Sequence, residues 1–258
     1  MKRIAVFMAG GNGERLRAMV GGALPKQFLD LLGVGKTMLQ ISAARLQMAD
    51  IFVVTGKDGA DFVREQLPFL PFENVLIEPQ RRNTAPCIAL AAEFLRKKFG
   101  DAVMMVIPTD HFVAEEKLYR ADLERAASFA EAHDALVTLG VVPTSPETGY
   151  GYLKLGAAAE GLHKVERFAE KPEKSVAESY LKDGNYLWNA GIFVWKISAI
   201  QAALARYLPG KFMELPKISI DKGIMERAEN VYTLPASFTW ADIGNPNTLQ
   251  RIRSYVTP

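Results

Sequence analysis

The feature that most constrains this chain is an alternation in its first half. Short apolar runs rich in β-branched residues are each followed by a longer segment whose apolar residues recur at helical spacing. The first pattern makes strands and the second makes amphipathic helices. Strands are predicted over Arg3–Met8, Asp50–Thr55, Asn74–Ile77, Ala102–Ile107 and Ala135–Gly140. Helices are predicted between them, over Met38–Met48, Asp58–Leu67, Thr84–Phe99 and Glu115–Ala132. Repeated strand–helix–strand units return each strand parallel to the last, so an α/β fold follows, a largely parallel sheet with helices on both faces. Ligands of such sheets bind beyond the carboxyl ends of the strands.

One helix carries its own boundary signals: Asn83 or Thr84 can cap it, Pro86 suits its first turn, Gly100 ends it, and Ile88, Ala92, Leu95 and Phe99 share a face. The second half is less regular. It predicts an exposed segment over Tyr150–Leu155, a helix near Val176–Lys182, an apolar strand over Ile192–Trp195 and a closing helix around Thr248–Tyr255. No internal repeat, low-complexity tract or clear linker is visible, so residues 1–258 are expected to form a single domain.

Composition removes several function classes. The net charge is +2 and no run of five like charges occurs, so an electrostatic case for nucleic-acid binding is missing and any polyanionic ligand must be small. The one cysteine, Cys87, excludes an internal disulfide, suits a reducing compartment and reads as core filler. The opening basic and apolar residues break at Gly10 and Gly11, which fits a first strand better than a leader. No stretch approaches the roughly 18 apolar residues of a membrane span, so a cytoplasmic protein with no membrane partner is expected.

Chemistry concentrates at a few loops. Ala9-Gly10-Gly11-Asn12-Gly13-Glu14-Arg15 follows the first strand, where residues without side chains let backbone N–H groups approach a phosphate and Arg15 adds charge-assisted bonds. A purely structural glycine turn is the competing reading. Two rival phosphate motifs fail: the dinucleotide pattern needs a glycine where Leu16 stands, and Gly35-Lys36-Thr37 lacks the first P-loop glycine, Asp30 standing in its place. Lys26, in Pro25-Lys26-Gln27-Phe28, is close enough in sequence to serve the same anion, although a lone lysine is usually a solvated charge. Asp110 comes directly after a predicted strand, where a hard Mg²⁺ would accept its carboxylate, and Asp242 can complete the site from far along the chain. Asp110 could equally cap the next segment, and His111, without partners at metal-ligand spacing, reads as structural. Pro146 to Tyr152 mixes small residues with hydroxyls, as suits a loop approaching a sugar or equally a tight turn into a strand. Glu170-Lys171-Pro172 and Trp188-Asn189-Ala190-Gly191 supply a carboxylate, an ammonium and an amide, the types that bind sugar hydroxyls and phosphate. Each of these is weak alone.

Together these segments resemble the mannose-1-phosphate guanylyltransferases of the sugar nucleotidyltransferase family. The resemblance is ordered, spans almost the whole chain and runs through AGGNGERL, PKQFL, EPQRRNTAP, PTDH, PTSPETGYGY, FAEKP, YLWNAGIFVW, ISID and WADIG. RNTAP and ETGYGY are its most branch-specific pieces. It implies a Rossmann-like mixed, mostly parallel sheet flanked by helices, and transfer of a guanylyl group from GTP to mannose 1-phosphate with release of pyrophosphate. It also implies that Ala9, Gly10, Gly11, Gly13, Arg15 and Lys26 hold the triphosphate and that Glu78, Asn83 and Thr84 lie in the region facing the base. Asp110 and Asp242 would hold Mg²⁺, while Gly149, Glu170, Lys171 and Asn189 would contact the sugar phosphate. Arg15, Lys26, Asp110 and Lys171 would carry catalysis by positioning and charge. Partners would be the two small-molecule substrates, with a homodimer as the assembly to test.

The chain departs from the family pattern in three places: Arg17-Ala18 follow Leu16 where an aromatic and a proline are usual, Lys222 stands where an aromatic is typical, and the stretch from Leu208 to Lys217 is short. No C-terminal β-helix of the kind many relatives carry is evident. The alternatives are a pyrophosphorylase for another nucleotide and hexose 1-phosphate, or a catalytically silent nucleotide-sugar-binding regulator. Retention of Asp110, Asp242, Arg15 and Lys26 argues against the silent one.

Overall fold

The computed structural model describes residues 1–11, 24–46, 49–244 and 246–256. They fall into two compact units, each built from separate stretches of chain. Unit 1 comprises Met1–Arg3, Arg82–Val106 and Ala121–Ser237, and unit 2 comprises Ile4–Arg81, Ile107–Arg120 and Phe238–Pro258.

Unit 2 holds the parallel strands that the first third of the sequence predicts. β1 (Arg3–Met8), β2 (Asp50–Gly56) and β3 (Val75–Glu78) lie in the order β3-β2-β1, with Ile4 opposite Asp50 and Val53 opposite Val75. Ile4 to Phe7 are fully buried, which is why β1 reads as a continuous apolar run rather than an alternation. Helix α1 (Met38–Arg45) starts from a capping box in which Thr37 and Gln40 satisfy each other's backbone N–H. It ends at Arg45, short of the predicted Met48, which lies outside the described residues. The helix predicted from Asp58 opens with a 3₁₀ turn over Lys57–Gly59, and α2 proper spans Ala60–Gln66. A second, two-stranded antiparallel sheet pairs β5 (His111–Val113) with β11 (Trp240–Asp242), setting Asp242 opposite His111. Leu249 and Ile252 of α7 (Pro246–Val256) pack with Leu31, Met38, Phe112 and Ile243 in a cluster that fixes this small sheet.

Unit 1 is where the sheet becomes mixed. Its strands are β4 (Val103–Pro108), β6 (Leu136–Val141), β7 (Tyr152–Ala159), β8 (Leu162–Ala169), β9 (Tyr186–Lys196) and β10 (Val231–Pro235), in the order β4-β9-β6-β10-β8-β7. β6 and β10 are parallel, whereas β9 runs antiparallel to β4, β6 and β7. β9 is longer than the predicted Ile192–Trp195: its first half contains Asn189 and Gly191, the latter at φ 68, which break the apolar run, and the pairing with β6 shifts register there before resuming at Asn189 and Trp188. The expectation that Tyr150–Leu155 is exposed is wrong at its centre. Tyr152 and Leu153 are fully buried because β7 pairs with both β8 and β9, covering a segment whose glycines and Lys154 suggest a surface.

The helices of unit 1 are α3 (Thr84–Phe99), most of α4 (Glu116–Ala132), α5 (Lys174–Asp183) and α6 (Ile197–Tyr207). α3 matches its prediction at both ends, with Asn83 Oδ1 accepting from Thr84 N and Gly100 closing it at φ 74. Ile88, Ala92 and Leu95 on its predicted face are fully buried, and Ile88 and Leu95 each contribute about 1.5–3 kcal/mol relative to exposure. A π-helical turn spans Asp221–Met225, and among the described residues no helix is long and apolar enough to cross a membrane.

Candidate functional site

In unit 2 the chain leaving β1 is held by side chains from two directions. Ala9 N donates to Val54 O, while Ala9 O accepts from buried Gln27 Nε2 at 2.8 Å and from Thr55 Oγ1 at 3.0 Å. Gln27 Nε2 also donates to Gly11 O at 3.0 Å. A Cβ at Gly10 would sit 3.0 Å from Glu78 Oε2, so glycine there admits the buried carboxylate at the end of β3. Gly13 and Arg15 lie outside the described residues.

The short 3₁₀ turn Lys26–Phe28 delivers the Lys26 ammonium between two carboxylates. Lys26 Nζ is 2.6 Å from Asp110 Oδ2 and 3.3 Å from Asp242 Oδ1, and donates to Ile243 O at 3.2 Å. Pairing of β5 with β11 explains why positions so distant in sequence meet. Burial alone would lower the Lys26 pKa, yet Asp110 and Asp242 hold it above the ordinary lysine range. Burial would likewise raise Asp110, and Lys26 outweighs it, keeping that carboxyl below the usual range.

Donor atoms of Asp110, His111 and Asp242 lie within 4.8 Å of one another, close enough to hold a metal ion. The hydrogen bonds divide the labour among them. Trp240 Nε1–H donates to His111 Nδ1 at 3.1 Å, so in the neutral ring the proton sits on Nε2, the nitrogen 3.8 Å from Asp110 Oδ1. Burial holds His111 below its ordinary pKa despite the nearby carboxylates, which favours that neutral ring. The donors left for a hard cation are carboxylate oxygens, the set such an ion prefers. Arg45, buried in α1, donates to His111 O and Val113 O at 3.2 Å each and clamps the β5 backbone that carries the group. Sequence reasoning missed Arg45, Gln27 and Trp240. Arg45 sits where helix spacing suggests a surface cation, and only the His111–Trp240 pairing across two strands reveals the indole.

In unit 1, Asn83 adopts φ 72 to cap α3, and Thr84 Oγ1 accepts from Ile220 N at 2.8 Å, tying the helix start to the segment before the π turn. Arg82 Nη2 donates to Leu215 O at 2.7 Å. A separate cluster gathers residues from β8, β9 and the π turn. Asn189 Nδ2 donates to Asp221 Oδ1 at 2.9 Å, and Asn189 Oδ1 accepts from Thr138 Oγ1 at 2.7 Å. Glu170, its side chain 7% exposed, pairs with Lys171 Nζ at 2.8 Å, while its backbone N–H donates to Glu226 Oε1 at 2.9 Å. Lys171 is itself 61% exposed and adopts φ 50. A Cβ at Gly151 would lie 2.9 Å from Glu170 Oε2 and 3.4 Å from Asn189 Cβ, whereas Gly149 has open space around it. Burial, and then the Glu170 charge, push the Asp221 carboxyl up to about 7. Thus Glu170, Lys171 and Asn189 meet, joined by Asp221, which residue type alone did not single out.

The nucleotidyl transferase family model matches residues 4–257. The chain is 34% identical over 290 residues to a mannose-1-phosphate guanylyltransferase of Escherichia coli, covering 98% of this chain and 60% of that protein. It is 35% identical over 277 residues to the xanthan biosynthesis protein XanB of Xanthomonas campestris, covering 95% and 58% respectively. It therefore spans about 60% of the length of the curated relatives it matches. The crystal structure of a mannose-1-phosphate geranyltransferase from Thermus thermophilus superimposes with a TM-score of 0.89 at 34% identity, covering 98% of this chain and 80% of that one. With a family model spanning nearly every residue and a structural relative at this identity and coverage, the chain belongs to the nucleotidyl transferase family.

Proposed function

We propose that the chain transfers a guanylyl group from GTP to mannose 1-phosphate, giving GDP-mannose and pyrophosphate, with residues 1–258 acting as a single catalytic domain. The observation that carries this reading is the Asp110–Lys26–Asp242 arrangement, two carboxylates assembled around a cation in a chain of this family. The choice of guanine and mannose is supported by the identity to mannose-1-phosphate guanylyltransferases and by the RNTAP and ETGYGY segments.

The chemical problem is to bring two phosphate-bearing anions together so that a sugar-phosphate oxygen attacks the α-phosphorus in line with departing pyrophosphate. In this reading Lys26 and Arg15 neutralise the triphosphate, and the backbone at Ala9, Gly10, Gly11 and Gly13 receives its oxygens. Glu78, Asn83 and Thr84 belong to the nucleotide side. Lys171 neutralises the attacking phosphate, and Gly149, Glu170 and Asn189 orient the sugar. Asp110 and Asp242 would hold Mg²⁺, which when bound supplies positive charge to the reacting phosphates. The partners are the two small-molecule substrates, with no nucleic acid or membrane, in the cytoplasm, and a homodimer as the assembly to be tested by light scattering.

The test is pyrophosphate release across a panel of triphosphates and sugar 1-phosphates, with and without Mg²⁺. Release should require both GTP and a hexose 1-phosphate, mannose 1-phosphate being preferred. Equal release without any sugar phosphate would mean a different reaction.

A further inference from the structure

Asn189 is unusually constrained. Its Oδ1 accepts from Gly191 N at 3.1 Å and from Thr138 Oγ1, a hydroxyl that also lies 3.1 Å from Ile192 O. Its Nδ2 donates to Asp221 Oδ1. A backbone N–H can only donate, so the Gly191 contact forbids turning the amide over, and among the described residues one amide N–H is left without a partner. Asp221 is the partner that holds the nitrogen side, so together with the Oδ1 contacts it fixes where that last donor points. It does so from the first residue of a π-helical turn, an irregularity that often accompanies functional sites.

We propose that Asp221 is a positioning residue for the sugar 1-phosphate. By anchoring one N–H of Asn189 it aims the other at an acceptor oxygen of that substrate, and its carboxyl sets the charge beside Glu170. The inference rests on the reading of Asn189, Glu170 and Lys171 as the sugar-phosphate side of the site. Titratable groups facing it are Glu170 and Lys171 from the end of β8 and the residues after it, with Glu226 held against the Glu170 backbone. A carboxyl that keeps its proton toward neutrality spares the incoming phosphate dianion a second negative neighbour, and that protection ends as Asp221 ionises above about 7.

The test compares wild type with Asp221→Ala and Asp221→Asn in steady-state pyrophosphate release, mannose 1-phosphate being varied at saturating GTP from about pH 6.5 to 8.5, with GTP affinity measured by calorimetry. Asp221→Ala should raise KM for mannose 1-phosphate about tenfold, as expected for losing a hydrogen bond to a charged partner, and leave the GTP Kd within about twofold. Asp221→Asn keeps an acceptor for Asn189, so its KM should stay within about threefold at neutral pH, while the rise in wild-type KM above pH 7 disappears. The substrate's own second ionisation is common to all three proteins and cancels in the comparison. An unchanged KM in Asp221→Ala together with the wild-type pH profile in Asp221→Asn overturns the proposal. So does a loss of GTP affinity equal to the rise in KM, which indicates general disruption. Should Asp221→Ala fail to fold, the Asp221→Asn profile decides alone. Wild-type protein that neither binds mannose 1-phosphate nor reacts with it defeats the functional reading, and the present inference with it, whereas an active wild type with indifferent variants defeats only the inference.

Discussion

Replacing Lys26 with methionine removes the ammonium from between Asp110 and Asp242 while keeping most of the side-chain volume. Breaking a fully buried ion pair costs about 3–5 kcal/mol, because the remaining charge is left without a partner. Here the three side chains retain 14%, 24% and 32% exposure, so water takes up part of the charge and about 2 kcal/mol is expected. For a chain of this size that is a fall in Tm of about 4–8 °C. Divalent cations should reverse the loss, since they can satisfy the two carboxylates that the lysine no longer does, so Mg²⁺ should raise the variant's Tm more than that of the wild type. The pH dependence has a defined sign. Lys26 lies above its ordinary pKa, so its contribution is complete below about 10.5 and is lost as pH rises through the folded value. Asp110 lies below its ordinary value, so its contribution is present above about 3.8 and is lost as pH falls through the folded value. The gap between wild type and variant should therefore be flat across neutral pH and close at both extremes. Thermal denaturation with and without MgCl₂ across pH provides the measurement. An unchanged Tm, or greater Mg²⁺ stabilisation of wild type than of the variant, would refute the reasoning.

Asp110→Asn should keep the fold and cut turnover about a hundredfold, the ~3 kcal/mol typical of losing preorganised charge stabilisation, as read by steady-state kinetics beside circular dichroism. Lys171→Ala should raise KM for mannose 1-phosphate and lower turnover while direct titration finds GTP affinity intact; the reverse pattern would mean the substrates are divided differently between the groups. Gly151→Ala places a methyl 2.9 Å from Glu170 Oε2 and 3.3 Å from the Phe168 ring, so Tm should fall, by about 1–3 kcal/mol of stability, and KM for mannose 1-phosphate should rise. Asp221 carries a raised pKa, so wild type loses stability as pH climbs from 3.8 to about 7 and the unfolded chain ionises first. Asp221→Asn should then be more stable than wild type at pH 8, by at most about 4 kcal/mol at 1.36 kcal/mol per pH unit, with the advantage gone below pH 4.

The parallel strands and α3 were legible because their signals are local. β1 and β2 are buried continuous apolar runs, and α3 carries a cap, an early proline and a terminal glycine within one segment. The antiparallel β9 was only half legible, since its first half trades apolar residues for Asn189 and Gly191, and pairing on both sides rather than intrinsic propensity makes it a strand. The same distinction runs through the candidate site. Asp110 could be picked out because it follows a strand. Asp242 acquires its neighbours only through β11 meeting β5, and Arg45 becomes part of the site only because the β5 carbonyls need a clamp. His111 was expected to be structural for want of ligand partners in the sequence, whereas folding sets it in one group with Asp110 and Asp242, with its Nδ1 accepting from Trp240.

Local conformational cost offers an independent pointer to where function sits. Among the described residues three non-glycine positions have positive φ: Asn83, Glu160 and Lys171. Glu160 precedes Gly161, also at positive φ, in the tight turn joining β7 to β8, a geometry in which both central residues adopt that region, so turn chemistry accounts for it. No such turn explains Lys171, a residue with no special tolerance of φ 50, which follows the buried Glu170 and leaves its own ammonium largely in solvent. Strain of this kind costs of order 1–3 kcal/mol and persists only where surrounding structure enforces it. Here the enforcement is visible. Glu226 holds the Glu170 backbone N–H, and Glu170 fills the space that glycine leaves at position 151. Asp221 adds a second cost nearby, a carboxyl held in a surrounding that disfavours its charge. Both unfavourable features lie beside Glu170, one in the residue that follows it and the other in a carboxyl that its charge helps to raise, which stability alone does not account for. They fit a surface organised for a ligand whose binding offsets both.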